Sequence, residues 1–201
     1  MELQLQGIET PYFKVSNFSL SPGKRLLIKG PSGTGKTTFL HLLAGLYTPT
    51  AGDIQWDQKS IKSLSESELS HIRRTKMGLV FQNLNLLSYL TATENIELSG
   101  ASREVAHELL GKVGLAEKTS RRTQQLSLGE QQRVAVARVL AQKPELILAD
   151  EPTSSLDDKN AEHVMNLLIG DLREQSLVMV SHDHRIEKFF TDIVPVQELL
   201  R

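Results

Sequence analysis

Gly30-Pro31-Ser32-Gly33-Thr34-Gly35-Lys36-Thr37 fits the pattern G-x-x-x-x-G-K-[ST]. In such a loop, backbone N–H groups cradle phosphate oxygens, the lysine reaches the terminal phosphates and the hydroxyl residue ligates magnesium. Both flanks suit that reading. Arg25-Leu26-Leu27-Ile28-Lys29 reads as a strand entering the loop. Phe39, Leu40, Leu42, Leu43 and Leu46 fall at helical spacing on an amphipathic helix leaving it, with Thr38 in the first turn. A phosphate at that helix N-terminus meets free N–H donors and the positive end of the helix dipole.

Outward from the loop, strands alternate with helices, the pattern of an α/β layer structure around a largely parallel sheet. An amino-terminal β region is expected at Leu3 to Gln6 and Phe13 to Leu20, around a turn at Thr10-Pro11. Thr48-Pro49-Thr50-Ala51-Gly52 is a turn and Asp53 to Trp56 a short strand. Ser65-Glu66-Ser67-Glu68 has the form of a capping box, so a helix is predicted to about Arg74. Met77 to Phe81 reads as a buried strand ending at Gln82. From Asn83 to about Ala141 the pattern turns helical, with Val105, Leu109, Leu110 and Val113 on one face and Gly114 as a stop. Strand character returns at Leu146 to Ala149 and Leu177 to Val180. Residues 1–82 and 142–201 are therefore expected to form one core, into which a helical subdomain, 83–141, is inserted.

Composition narrows the class. The 201 residues suit one globular unit with a substantial core. With 23 Lys and Arg against 24 Asp and Glu, the net charge of -1 gives no footprint for nucleic acid, and Arg73-Arg74 and Arg121-Arg122 are isolated basic pairs. The chain has no cysteine, so neither a disulfide framework nor a thiolate metal site is available. No apolar run reaches the length of a membrane span, and Met1-Glu2-Leu3-Gln4 lacks the basic and apolar regions of a signal peptide. A cytosolic chain, touching a membrane only through a partner, is the expectation.

Leu146-Ile147-Leu148-Ala149-Asp150-Glu151 is an apolar run closed by two carboxylates. In a parallel sheet such a run is buried on both faces, and ligands gather at the carboxyl ends of the strands. Asp150 can then hold magnesium through water beside Thr37. Adjacent side chains of an extended strand point oppositely, so Glu151 is expected to face away from the metal towards an attacking water, as base or water orienter. Ser127 and Glu130, in Leu126-Ser127-Leu128-Gly129-Glu130-Gln131-Gln132-Arg133, repeat the capping pattern, so Ser127 should start a helix whose N-terminus is an anion site.

Taken together, Gly30 to Thr37, Gln82, Leu126 to Arg133, Leu146 to Glu151 with Pro152-Thr153, Ser155-Leu156-Asp157 and His182 closely resemble the nucleotide-binding subunit of ATP-binding cassette (ABC) transporters. Within that family, Thr48 to Ile54 and Phe81 to Leu87 look most like the ATPases of lipoprotein release, macrolide export and cell division. The resemblance implies a P-loop NTPase of ABC type that uses ATP and Mg2+. Two copies, or one copy and a homologous subunit, would close head to tail over two ATP molecules. Ser127, Leu128, Gly129 and Glu130 would then act in trans on the partner's nucleotide. It also implies that Gln82 contacts magnesium and the attacking water, that His182 contacts the γ-phosphate, and that Asp157 lies at the dimer interface. His184 is the rival for His182, and Asp157 can equally cap the helix that follows it.

Segment Asn83 to Asn95, with Leu84, Leu86, Leu87, Tyr89 and Leu90, would receive a helix of an integral membrane subunit, although subdomain core has a claim on about half of these side chains. The protein would sit on the inner face of a bacterial cell membrane. Three features depart from the family pattern. Leu128 replaces the first glycine of the usual signature pair. The adenine-stacking aromatic is represented only by Tyr12, because Phe13 reads as core. The chain after His182 is short, so control is expected from partners. Rival readings are a mechanical or signalling switch on a membrane protein, a soluble ABC protein of translation or DNA repair, and an adenylate-kinase-like phosphotransferase, which leaves Ser127 to Arg133 unexplained.

Overall fold

Strands composed of consecutive apolar residues need cover on both faces, and the chain provides it. The computed structural model describes residues 1–170 and 175–200. Leu3–Glu9 (β1) and Lys14–Leu20 (β2) form a hairpin, followed by Arg25–Lys29 (β3) and the helix Lys36–Leu43 (α1). Ala51–Trp56 (β4) and Lys59–Ser60 (β5) return to the hairpin, giving an antiparallel sheet in the order β2-β1-β4-β5. Helix Glu66–Lys76 (α2) leads into Met77–Val80 (β6), and three helices follow: Ala92–Glu97 (α3), Arg103–Lys112 (α4) and Leu128–Ala141 (α5). Then come Leu146–Asp150 (β7), Asp158–Gly170 (α6), Ser176–Ser181 (β8), Asp192–Pro195 (β9) and Val196–Leu199 (α7). The second sheet is parallel, in the order β6-β7-β8-β3-β9.

Period-two alternation divides the apolar residues of the parallel sheet between two cores. Leu27, Ile147, Ala149, Leu177 and Met179 face one apolar cluster, which also holds Ile96, Ala106, Leu110, Val134 and Val164 from the helices. Ile28, Leu146, Leu148, Val178 and Val180 face the other, shared with α1 and the antiparallel sheet through Phe39, Leu42, Leu5 and Ile54. The helical segment thus shares one continuous core with one face of the parallel sheet. Reciprocal caps start α2, α3 and α5: Ser65 with Glu68, Thr91 with Glu94 and Ser127 with Glu130 are all full capping boxes.

Several expectations need correction. Helix α1 stops at Leu43: the Gly45 N–H bonds the Leu42 carbonyl and the Leu46 N–H bonds the His41 carbonyl, a Schellman closure that leaves Leu46 48% exposed. The Thr10 hydroxyl accepts from the Phe13 N–H at 2.9 Å and donates to its carbonyl at 2.8 Å, so Phe13 belongs to the turn, with its ring in the core. Strand β6 ends at Val80, before Phe81. On α4, Ala106 takes the innermost place and Val105 is only partly buried. Among the described residues no helix is long and apolar enough to cross a membrane.

Candidate active site

Strands β3, β7 and β8 end side by side, with Lys29 opposite Ser181 and Asp150 opposite Val180, so the segments leaving them meet at one edge of the sheet. In α/β folds this is where ligands collect. Here the edge forms a cleft of about 710 Å3, lined by Ser32 to Thr38 together with Tyr12, Gln82, Asp150, Glu151, Ser154 and His182. Gly30 and Pro31 lie behind the cleft, where their carbonyls each accept from Lys36 Nζ at 2.7 Å. Lys36 is only 7% exposed, and the third hydrogen of its ammonium remains for a ligand.

Left-handed φ values at Gly33 (+79°) and Gly35 (+90°) wrap the loop around the start of α1. A Cβ at Gly33 would meet nothing within 4 Å, so the space over the loop is open to a phosphate group. The Thr37 hydroxyl donates to Asp150 Oδ2 at 2.6 Å. Burial raises the Asp150 carboxyl above its usual pKa, opposed by this hydrogen bond and by the charge of Lys36.

Glu151 departs from the expected geometry. Strand β7 ends at Asp150, and Glu151 takes a left-handed φ of +49°, with its N–H bonded to the Val180 carbonyl at 3.0 Å. Strand alternation therefore does not set its direction. Its side chain turns instead to the end of β8 and is 6% exposed. Oε2 accepts from the Ser181 hydroxyl at 2.6 Å, while Oε1 accepts from the His182 backbone N–H at 3.1 Å and from Nδ1 of the same residue at 2.7 Å. A carboxylate can only accept, so Nδ1 carries the hydrogen and the ring is oriented by Glu151. His184 lies outside this group, paired with Glu187 and within 3.0 Å of Lys29 Nζ.

Behind His182, a second network joins the segment after β7 to the segment after β8. Asp183 accepts from Arg185 Nε at 2.9 Å and Nη2 at 2.8 Å, and from the Thr153 hydroxyl at 3.0 Å. Arg185 Nη1 also reaches Asp158 at 2.6 Å. Burial works to raise the Asp183 carboxyl, but the bonds from Arg185 and Thr153 hold it below the usual aspartate pKa. A depressed acid stabilises the fold above its unfolded pKa, and that contribution fades as pH falls through the folded value. Asp183→Asn should therefore cost about 1 kcal/mol at neutral pH, and chemical denaturation should show the difference from wild type shrinking below about pH 4.

The signature residues stand apart. Ser127 and Leu128 are exposed, Leu128 at 61%, and none of Ser127, Leu128, Gly129 and Glu130 lines the cleft of its own chain. Glu130 is paired with Lys118, which together with the Ser127 N–H holds its carboxyl below the usual value. Asp157 caps α6, accepting from the Asn160 N–H at 2.9 Å. Beyond Gln82, which is exposed on the cleft, Arg138 of α5 donates to the carbonyls of Leu84 at 2.8 Å and Asn85 at 2.7 Å. Buried Asn95 accepts from the Leu87 N–H at 2.8 Å and donates to the Thr91 carbonyl at 3.0 Å. Leu84, Leu86 and Leu90 are consequently half-buried, and only Leu87 and Tyr89 of that group are exposed.

Ser181, Gln132, Asp183 and Arg185 were not legible as site residues. Ser181 had a signal in directly preceding His182. Gln132 lay within the quoted stretch Leu126 to Arg133, with no role of its own assigned there, and a polar residue on a buried face of α5 was a second sign.

Comparison with known proteins shows the family. A model of the ABC transporter family matches residues 13–154. The lipoprotein-releasing system ATP-binding protein LolD of Treponema denticola is 46% identical over 191 residues, covering 90% of this chain and 84% of that protein. An ABC transporter ATP-binding protein of Methanocaldococcus jannaschii is 39% identical over 200 residues, covering 94% and 89%. A dimeric structure of the ATP-binding cassette MJ0796, in a post-hydrolysis state bound to ADP and Pi, superposes with a TM-score of 0.86 at 37% identity, covering 95% and 92%. The chain belongs to the ABC transporter family, as an ATPase cassette of that family.

Proposed function

We propose that the chain binds MgATP in the cleft, closes head to tail on a second copy or a homologous subunit over two ATP molecules, and passes that closure to an integral membrane subunit. One observation carries the reading. Lys36, the Thr37–Asp150 pair and the Glu151–His182 pair converge on one cleft, while the Ser127 cap lies exposed and outside it.

In this account the backbone of Gly33 to Thr38 and the Lys36 ammonium bind the β- and γ-phosphates. Tyr12, exposed at the mouth of the cleft, stacks on adenine. Thr37 and Asp150 offer hard oxygen donors to Mg2+, and no group of three or more His, Asp or Glu forms a cage among the described residues. Such a donor set suits an ion that keeps water and phosphate oxygens in its shell. When bound, the ion neutralises charge developing on the phosphates. Glu151 accepts a proton from the attacking water as its oxygen bonds to the γ-phosphorus and the bond to the β-phosphate oxygen breaks, giving ADP and phosphate. His182, oriented by Glu151 through Nδ1, would hold the γ-phosphate through Nε2, which must then also carry a hydrogen, because phosphate oxygens only accept. Gln82 borders magnesium and the water.

The partner's Ser127 hydroxyl, with the N-terminus of its α5, completes the phosphate shell on closure, and Asp157 lies at the interface. Residues 83–141 act as the moving subdomain. Leu87 and Tyr89 meet a helix of the membrane subunit, which places the chain on the cytoplasmic face. The likeness to a lipoprotein-releasing ATPase favours extraction or export of a lipidic cargo. Affinity capture from solubilised membranes, using Glu151→Gln with ATP, should recover a stoichiometric multi-span protein; recovery of soluble partners alone would contradict the membrane coupling. Flux through the reconstituted complex then separates transport from a purely mechanical role.

A further inference from the structure

Glu151 is held at its backbone as well as its side chain, and the hold comes from the signature helix. Its φ of +49° is one that L residues rarely adopt, so its carboxylate direction depends on whatever fixes that peptide. Gln132, 3% exposed, donates from Nε2 to the Glu151 carbonyl at 2.9 Å. Its Oε1 accepts from the Ser155 N–H at 3.3 Å. One amide side chain thus spans turn 151–155, with the Ser154 hydroxyl adding a local bond to the same carbonyl at 3.1 Å. Gln132 sits in the second turn of α5, whose N-cap is Ser127. The first turn is also tight against this segment: a Cβ at Gly129 would lie 3.2 Å from the Ser155 carbonyl oxygen and 3.1 Å from Leu156 Cδ2. Further along, Val134, Val136 and Ala137 are fully buried, so the helix is seated as a rigid element.

We propose that Gln132 is a positioning residue that ties the direction of the Glu151 carboxylate to the position of the α5 N-terminus. Engagement of Ser127 by the partner copy's nucleotide is then felt, through one helical turn and one side chain, by the base in the same copy's own cleft. A bond of 2.9 Å from a buried amide to the Glu151 peptide makes the link short. A small rotation of that peptide displaces the carboxylate by several times as much as the backbone moves. The inference rests on the reading of Glu151 as the base that activates water.

The test uses the full chain and two variants of near-native volume. Gln132→Leu removes both hydrogen bonds. Gln132→Glu keeps the acceptor for the Ser155 N–H but can donate to the Glu151 carbonyl only when protonated. The expected result for Gln132→Leu is a fall in kcat of roughly 10- to 100-fold, the cost of misplacing a reacting group by about an ångström. Affinity for a fluorescent ATP analogue should stay within about twofold, because Gln132 touches no part of the phosphate loop. For Gln132→Glu, the ratio of its kcat to that of wild type at the same pH should rise as pH falls from about 8 to about 6, since burial raises a carboxyl pKa into that range. A merely structural amide would show neither the split between kcat and affinity nor the pH-dependent rescue.

Overturning results are a kcat for Gln132→Leu within about twofold of wild type, or parallel losses of kcat, ATP affinity and melting temperature with a flat ratio for Gln132→Glu. Glu151→Gln assayed alongside separates the two levels. If it retains turnover, the reading of Glu151 falls and this inference with it; if it loses turnover while Gln132→Leu does not, this inference alone fails.

Discussion

Glu151→Gln is expected to lower ATP turnover by roughly 10²- to 10⁴-fold, the usual contribution of a positioned base. The amide is isosteric: its oxygen can still accept from His182 while its NH2 turns to donate to the Ser181 hydroxyl oxygen, so the 6% exposed site should keep its packing. What it loses is a site for the proton of the attacking water. ATP affinity should remain within about twofold, because binding is the work of the phosphate loop on the other side of the cleft. Single-turnover phosphate release, with equilibrium binding of a fluorescent ATP analogue, measures both quantities. Unchanged turnover would remove Glu151 from its role.

Lys36→Ala should act on the other quantity, weakening MgATP binding by roughly 10- to 100-fold through loss of a charge-assisted phosphate contact. The structure adds a second reason. Lys36 Nζ donates to the carbonyls of Gly30 and Pro31 at 2.7 Å, so the same side chain braces the loop that cradles the phosphates. Lys36→Met, which keeps the stem but not the ammonium, should bind as weakly as Lys36→Ala. Isothermal titration with MgATP decides the point, and affinity retained in Lys36→Met would show that the stem rather than the charge matters.

The parts of the fold that sequence pattern reached are those governed by local rules. The phosphate loop is fixed by residue type and spacing, the caps at Ser65 and Ser127 by reciprocal hydrogen bonding within four residues, and β7 and β8 by apolar runs that only a doubly covered sheet can bury. What escaped it depends on contacts distant in sequence. Glu151 looked like the next residue of a strand, yet its N–H is taken by Val180 and its carbonyl by Gln132, and these turn it left-handed. Ser181 and Asp183 become site residues only when β8 is laid beside β7. Leu46 kept the helical period but fell past a Schellman closure, which periodicity does not register. Similarly, the pattern gave subdomain core a claim on about half of Leu84, Leu86, Leu87, Tyr89 and Leu90 without saying which, and the bonds from Arg138 show why Leu84 and Leu86 are drawn in.

Nucleotide-driven closure of two copies is the centre of this account, and sedimentation velocity of Glu151→Gln with and without MgATP tests it most directly. The expected result is a monomer without nucleotide and a dimer with it, the dimer being lost in Glu151→Gln carrying Ser127→Arg, which places a bulky side chain where the partner's γ-phosphate would sit. ATP-bound protein that stays monomeric at high concentration, or a dimer indifferent to both nucleotide and Ser127, would contradict the account.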